Sequence, residues 1–82
     1  MSPELETLDQ LQGGNMPIAQ VRWLFDDRDR FERAIVAMLD AGEVRLIEGN
    51  GSEAPRWRWR QLLADGPAAT LSITVAGARR IG

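Results

Sequence analysis

The sequence predicts a small α+β domain of three short helices and an antiparallel pair or trio of strands. Three observations predict it. Apolar residues recur at spacings of three and four between Leu5 and Leu39, the mark of amphipathic helices. Two later segments, residues 43–48 and 70–75, alternate apolar and polar positions as half-buried strands do. The chain has 82 residues, 44% of them apolar, which is enough for one core and too little for two. Residues 1–82 are therefore expected to form a single domain.

The elements follow in order. Ser2-Pro3-Glu4 opens a helix with a capping hydroxyl, a proline at the first helical position and an acid in the first turn. Leu5, Leu8 and Leu11 continue it on one face, and Gly13-Gly14 ends it. Pro17 starts a second helix, where a missing N–H costs nothing, and Ile18, Val21 and Phe25 line one side of it. Asp26 or Asp27 caps a third helix from about Arg28 to Ala41. At about 100° per residue, Phe31, Ile35 and Met38 fall in one arc with Ala34 and Leu39 at its edges. Asp29, Arg33, Val36, Ala37 and Asp40 lie opposite. Gly42 is placed to close the helix in a left-handed cap, and Gly49-Asn50-Gly51 to turn the chain after the first strand.

Between the strands lies Pro55-Arg56-Trp57-Arg58-Trp59-Arg60, and it reads two ways. As a helix capped by Ser52 and stopped at Asp65-Gly66-Pro67, it groups Trp59, Leu62 and Leu63 and leaves Trp57 on the far side. As a strand, it puts both tryptophans on one face and the three arginines on the other. Residues 53–64 are open between the two.

Composition removes several function classes. Without cysteine or histidine, the chain has no thiol nucleophile, no imidazole base and no thiolate metal site, and no enzyme or cofactor is expected. Ser2, Ser52 and Ser72 have no activating neighbours, and Gly49-Asn50-Gly51 lacks the further glycines and lysine of a phosphate loop. No stretch approaches the roughly 20 apolar residues of a membrane helix, and no signal segment is evident. A cytoplasmic protein without membrane contact is the expectation. Every basic residue is an arginine, and the charge is uneven. Residues 1–53 hold eleven acids and five arginines, a balance of −6, whereas residues 54–82 hold five arginines and one acid, a balance of +4. The second part suits either an anionic partner or the acidic first part of its own fold.

The stretch from Phe31 to Leu46, a hydrophobic helix ending in Asp40-Ala41-Gly42-Glu43-Val44, resembles the third helix and first wing strand of winged helix-turn-helix domains. The ending Ile73-Thr74-Val75-Ala76-Gly77-Ala78-Arg79-Arg80 resembles the second wing strand of MarR-like regulators passing into a terminal helix. The likeness spans about residues 16–81 and implies three helices plus a two- or three-stranded antiparallel wing, here with a long arm between the wing strands. It further implies double-stranded DNA as partner and transcription regulation as role. By position, Arg28, Asp29, Glu32, Arg33 and Val36 would occupy the groove-facing side of the third helix. Arg28, Arg30 and Arg33 there, with Arg56, Arg58 and Arg60 on the arm, would be the DNA-binding residues. That helix face also carries Asp29, Glu32 and Asp40, and the turn Phe25-Asp26-Asp27 has no glycine. The alternative expectation is a protein-interaction or dimerisation module, a homodimer included, anchored by Trp23 and Trp57, since tryptophan and arginine are favoured at protein hot spots.

Overall fold

A computed structural model of the chain describes residues 2–65 and 68–82. Its elements are α1 (Pro3–Leu11), β1 (Met16–Pro17), α2 (Ile18–Arg22), α3 (Arg28–Asp40), β2 (Val44–Ile47), a 3₁₀ turn (Arg56–Arg58), α4 (Trp59–Asp65), β3 (Thr70–Ile73) and α5 (Val75–Ile81). The three strands form one antiparallel sheet in the order β1-β3-β2. A small α+β domain is thus correct. The described residues hold five α-helices where three were expected; α4 lies in the arm, one of whose two readings was helical, and α5 follows the last strand, where the likeness carries a terminal helix.

The helix ends form as their local chemistry dictates. The Ser2 hydroxyl accepts from the Leu5 N–H at 3.2 Å, and the Thr7 hydroxyl donates to the Pro3 carbonyl at 2.7 Å, so buried Thr7 is satisfied within its own helix. Asp27 caps α3, its carboxylate accepting from the Asp29 N–H at 3.2 Å. Asp27→Ala is expected to cost about 1 kcal/mol in a urea unfolding curve, as loss of an N-cap does, with Asp26→Ala close to neutral. At the other end Gly42 has φ +75° and donates to the Leu39 carbonyl, while Glu43 donates to the Met38 carbonyl. This paired closure requires the left-handed conformation at Gly42 and swings the chain sharply into β2.

Helix α2 is shorter than its apolar spacing suggested. After Arg22 the N–H groups of Trp23, Leu24 and Phe25 donate three residues back, to Gln20, Val21 and Arg22. The tightened turn, of 3₁₀ type, still brings Phe25 into the core beside Ile18 and Val21.

β1 is a strand the sequence did not announce, because two residues leave no alternation to read. It pairs with β3 through Met16 opposite Leu71 and Pro17 opposite Thr70. Pro17 is tolerated because it lies on an edge strand. β2 pairs along its whole length, with Leu46 opposite Leu71 at the centre, and Leu71 is fully buried. The second strand, expected over residues 70–75, stops at Ile73. Thr74 instead caps α5, accepting at its hydroxyl from the Gly77 N–H and donating from it to the Gly42 carbonyl.

The arm also differs from its sequence reading in where its helix begins. Ser52 does not start it. The chain turns over Gly49–Gly51 and runs back beside β2, with Glu53 opposite Ile47 and the Ala54 N–H donating to the Leu46 carbonyl at 2.8 Å. Pro55 has no N–H with which to continue that pairing, and the helical part starts at Arg56. Residues 53–64 therefore resolve as a short antiparallel return followed by helix. The proposed stop at Gly66-Pro67 lies outside the described residues. Leu62 and Leu63 are buried in the common core with Phe31, Ile35, Leu46 and Leu71.

Candidate interaction face

Position and charge together lay the arm on α3. Glu32, Val36 and Asp40 lie four residues apart and so form one row along that helix. Arg60 meets Glu32 at 3.1 Å, Arg56 meets Asp40, and Val36 lines a cleft with Arg56, Trp57, Trp59 and Arg60. The arm thereby lies over Glu32 and Val36 on the side of α3 that the winged-helix likeness assigned to a DNA groove, and leaves Arg28, Asp29 and Arg33 exposed. One end of this contact is closed by two further arginines. Arg22 and Arg28 donate to the carbonyls of Leu63 and Ala64 in the last turn of α4, Arg28 at 2.9 Å. A cation is favoured at a helix C-terminus by about 0.3–1 kcal/mol.

The charge asymmetry seen in the sequence becomes a set of ion pairs within the fold. Arg56–Asp40, Arg58–Glu48 at 3.1 Å, Arg60–Glu32 and Arg80–Glu43 at 2.7 Å all join the basic second part to the acidic first. These pairs are at least partly exposed and each contributes about 0–1 kcal/mol. Their larger effect is to put a carboxylate beside each of those guanidinium groups.

The six candidate DNA-binding arginines do not form one patch. Arg30 reaches Glu4 on α1 at 3.6 Å and Asp26 at 3.8 Å. Arg28 is occupied at the end of α4, and the Arg33 Nε donates to the Asp29 carbonyl at 3.4 Å. Arg56, Arg58 and Arg60 gather on the arm, where Arg33 and Arg60 share a shallow hollow with Asp29 and Glu32.

The tryptophans divide by role. Trp59 is half-buried against the core, and its indole N–H donates to the Ala54 carbonyl at 3.2 Å. One tryptophan of the pair is therefore anchored, as the helical reading required. Trp57 is 76% exposed and Trp23 87% exposed, the two most exposed large apolar side chains described. Arg56 lies over the Trp59 ring at 5.4 Å and Arg58 over Trp57 at 5.7 Å. Trp23 lies beside Ala19, Arg22 and Phe25, in a hollow that shares no lining residue with the Trp57 cleft.

The cleft at Trp57 has a volume of about 500 Å³ and opens to solvent. Val36 and the two indoles make it apolar, and Arg56 and Arg60 border it. Sequence reasoning named Val36 only as a groove-facing position and did not foresee Glu32, Asp40 and Glu48 as partners of the arm. Their one advance signal was the opposed charge of the two segments. Among the described residues, no cluster of three acidic side chains is placed to hold a metal ion, and no helix is long and apolar enough to cross a membrane. Comparison of the chain with protein-family models, curated proteins and solved structures gives no match.

Proposed function

We propose that the chain is a winged-helix domain that serves as a protein-interaction module, with the Trp57 cleft as its binding face. The architecture is supported by three helices that precede β2, by the antiparallel three-stranded sheet and by the long arm between β2 and β3, which agree with the plan that the likeness implies. The observation that carries the function is the exposure of Trp57 on an arm whose neighbouring residues are fixed in place. An exposed indole beside a second indole, an aliphatic side chain and two arginines has the composition of an interface hot spot.

DNA binding draws less support from the same geometry. Arg30, Arg56, Arg58 and Arg60 already face carboxylates. A DNA backbone laid along the arm brings several phosphates to these acids at once. At about 4 Å each such pair repels by roughly 1 kcal/mol in water and roughly 4 kcal/mol in a less polar surface environment, and the terms add along the backbone. The net charge of −2 adds no long-range pull toward a polyanion.

The test has two arms. In fluorescence anisotropy, labelled duplex DNA is expected to show no retention between about 50 and 200 mM salt. Retention that falls steeply with salt and is lost in Arg33→Ala and Arg58→Ala would return the domain to DNA. In the second arm, proteins held by the wild-type domain and released by Trp57→Ala are identified and the complex is rebuilt from purified parts. Trp57→Ala is expected to weaken the rebuilt complex at least about tenfold, the effect of losing a hot-spot residue, and Trp23→Ala much less. A rebuilt complex indifferent to Trp57→Ala overturns this face.

A further inference from the structure

The Trp57 cleft also has a charge character that restricts what it takes. Arg56 and Arg60 engage their acids through Nη1 alone, and their side chains stay 71% and 72% exposed. A guanidinium carries five N–H donors in a planar fork. Each of these two arginines therefore keeps donors directed away from Asp40 and Glu32. Between them lies the apolar ground of Val36, Trp57 and Trp59.

We infer that the partner segment is an acidic peptide stretch with one bulky apolar side chain between its carboxylates. The apolar group enters the cleft over Val36 and between the indoles, and the flanking carboxylates take the outer donors of Arg56 and Arg60. This inference rests on the protein-interaction reading and names the chemistry of its partner. Guanidinium forks favour carboxylates by bidentate hydrogen bonds, and partial desolvation beside the indoles strengthens those bonds. Asp40 and Glu32 limit the site to one or two added negative charges. A duplex, with a charge about every 1.7 Å along its axis, brings many more. The face thus discriminates among anions by how many charges arrive together.

The experiment uses the whole chain labelled with ¹⁵N and follows the three indole N–H resonances, each assigned by a Trp→Phe variant. The probe is the peptide acetyl-Gly-Ser-Glu-Leu-Glu-Ser-Gly-amide, with one carboxylate on each side of its leucine. Two controls replace its acids by their amides or its leucine by glycine, and a single-stranded oligonucleotide is titrated alongside. The Trp57 and Trp59 resonances are expected to shift saturably with the acidic leucine peptide while Trp23 stays in place. Each control peptide should bind at least about tenfold more weakly, a difference of about 1.4 kcal/mol. Arg60→Gln should remove most of the preference for acids over amides, and Trp57→Ala should abolish saturation; both positions are exposed, so the fold is retained.

Equal binding of the acidic and amide peptides would overturn the inference and leave the protein-interaction reading standing. Absence of any shift with all peptides at millimolar concentration would also overturn it, and rebuilding a complex through Trp57 would then show that the face is used with other chemistry. Tighter binding of the oligonucleotide at the same two indoles would overturn both.

Discussion

Gly77→Ala is expected to destabilise the domain by about 3 kcal/mol, although alanine is the better helix former by roughly 1 kcal/mol. A Cβ at this position would run into the Glu43 carbonyl and lie 2.9 Å from Ile73 Cγ1. The carbonyl cannot give way easily, because it accepts from the Thr74 N–H at 3.1 Å and belongs to the corner between α3 and β2. Overpacking of this kind costs roughly 1–3 kcal/mol or more, and obstruction by backbone puts Gly77 at the upper end. The whole domain should hold only about 4–12 kcal/mol, from roughly 0.05–0.15 per residue. Thermal unfolding should therefore begin more than about 10 °C lower, at about 4–8 °C per kcal/mol. Gly42→Ala is the control, since a Cβ there meets nothing within 4 Å and only the positive φ is strained. It should cost about 1–2 kcal/mol. Equal losses for the two variants would show that close approach of α5 to Glu43 is not what requires Gly77.

Phe31→Ala should have the largest effect of any core truncation on α3, about 3–5 kcal/mol in urea or guanidinium unfolding. Phe31 is 1% exposed and meets the Phe25 ring edge-on at 5.6 Å and 72°. It also carries the Arg22 guanidinium 5.4 Å from its centroid. Truncation opens a cavity and removes the surface on which Arg22 rests, so α4 loses support along with the core. Phe31→Leu, which keeps most of the volume, should cost about 1–1.5 kcal/mol. A loss below about 2 kcal/mol for Phe31→Ala would mean that the surrounding residues collapse into the space.

The clearest sequence signals came from elements governed by nearby residues. In α3 the buried side and the Gly42 closure are where the spacing placed them, and the cap, open between Asp26 and Asp27 in the sequence, is Asp27. β1 was not legible, because its two residues are ordered by partners more than fifty positions away. The arm was ambiguous for a different reason. Arg56-Trp57-Arg58-Trp59-Arg60 satisfies a strand period and a helix period equally, and Pro55 decides between them only once residues 53–54 have paired with β2. At the candidate face, the exposed Trp57 and the anchored Trp59 were legible as a helical option. The row Glu32, Val36 and Asp40 was legible as a helix side, but not as a surface the arm would cover. That arrangement depends on Arg56 and Arg60 reaching across 16 and 28 positions of sequence, which no local pattern encodes.

The arginine closure of α4 has a consequence for what holds the arm in place. α4 spans only Trp59–Asp65, well short of the roughly 12–15 residues at which an isolated helix becomes marginally stable in water. The donors to its last carbonyls come from Arg22, where α2 ends, and Arg28, where α3 begins. Those donors converge only where the chain between α2 and α3 bends and Phe31 packs against Phe25. The last turn of α4 is consequently held by residues far from it in sequence. Trp57 and the α3 row of Glu32, Val36 and Asp40 therefore make one face only in the completed fold.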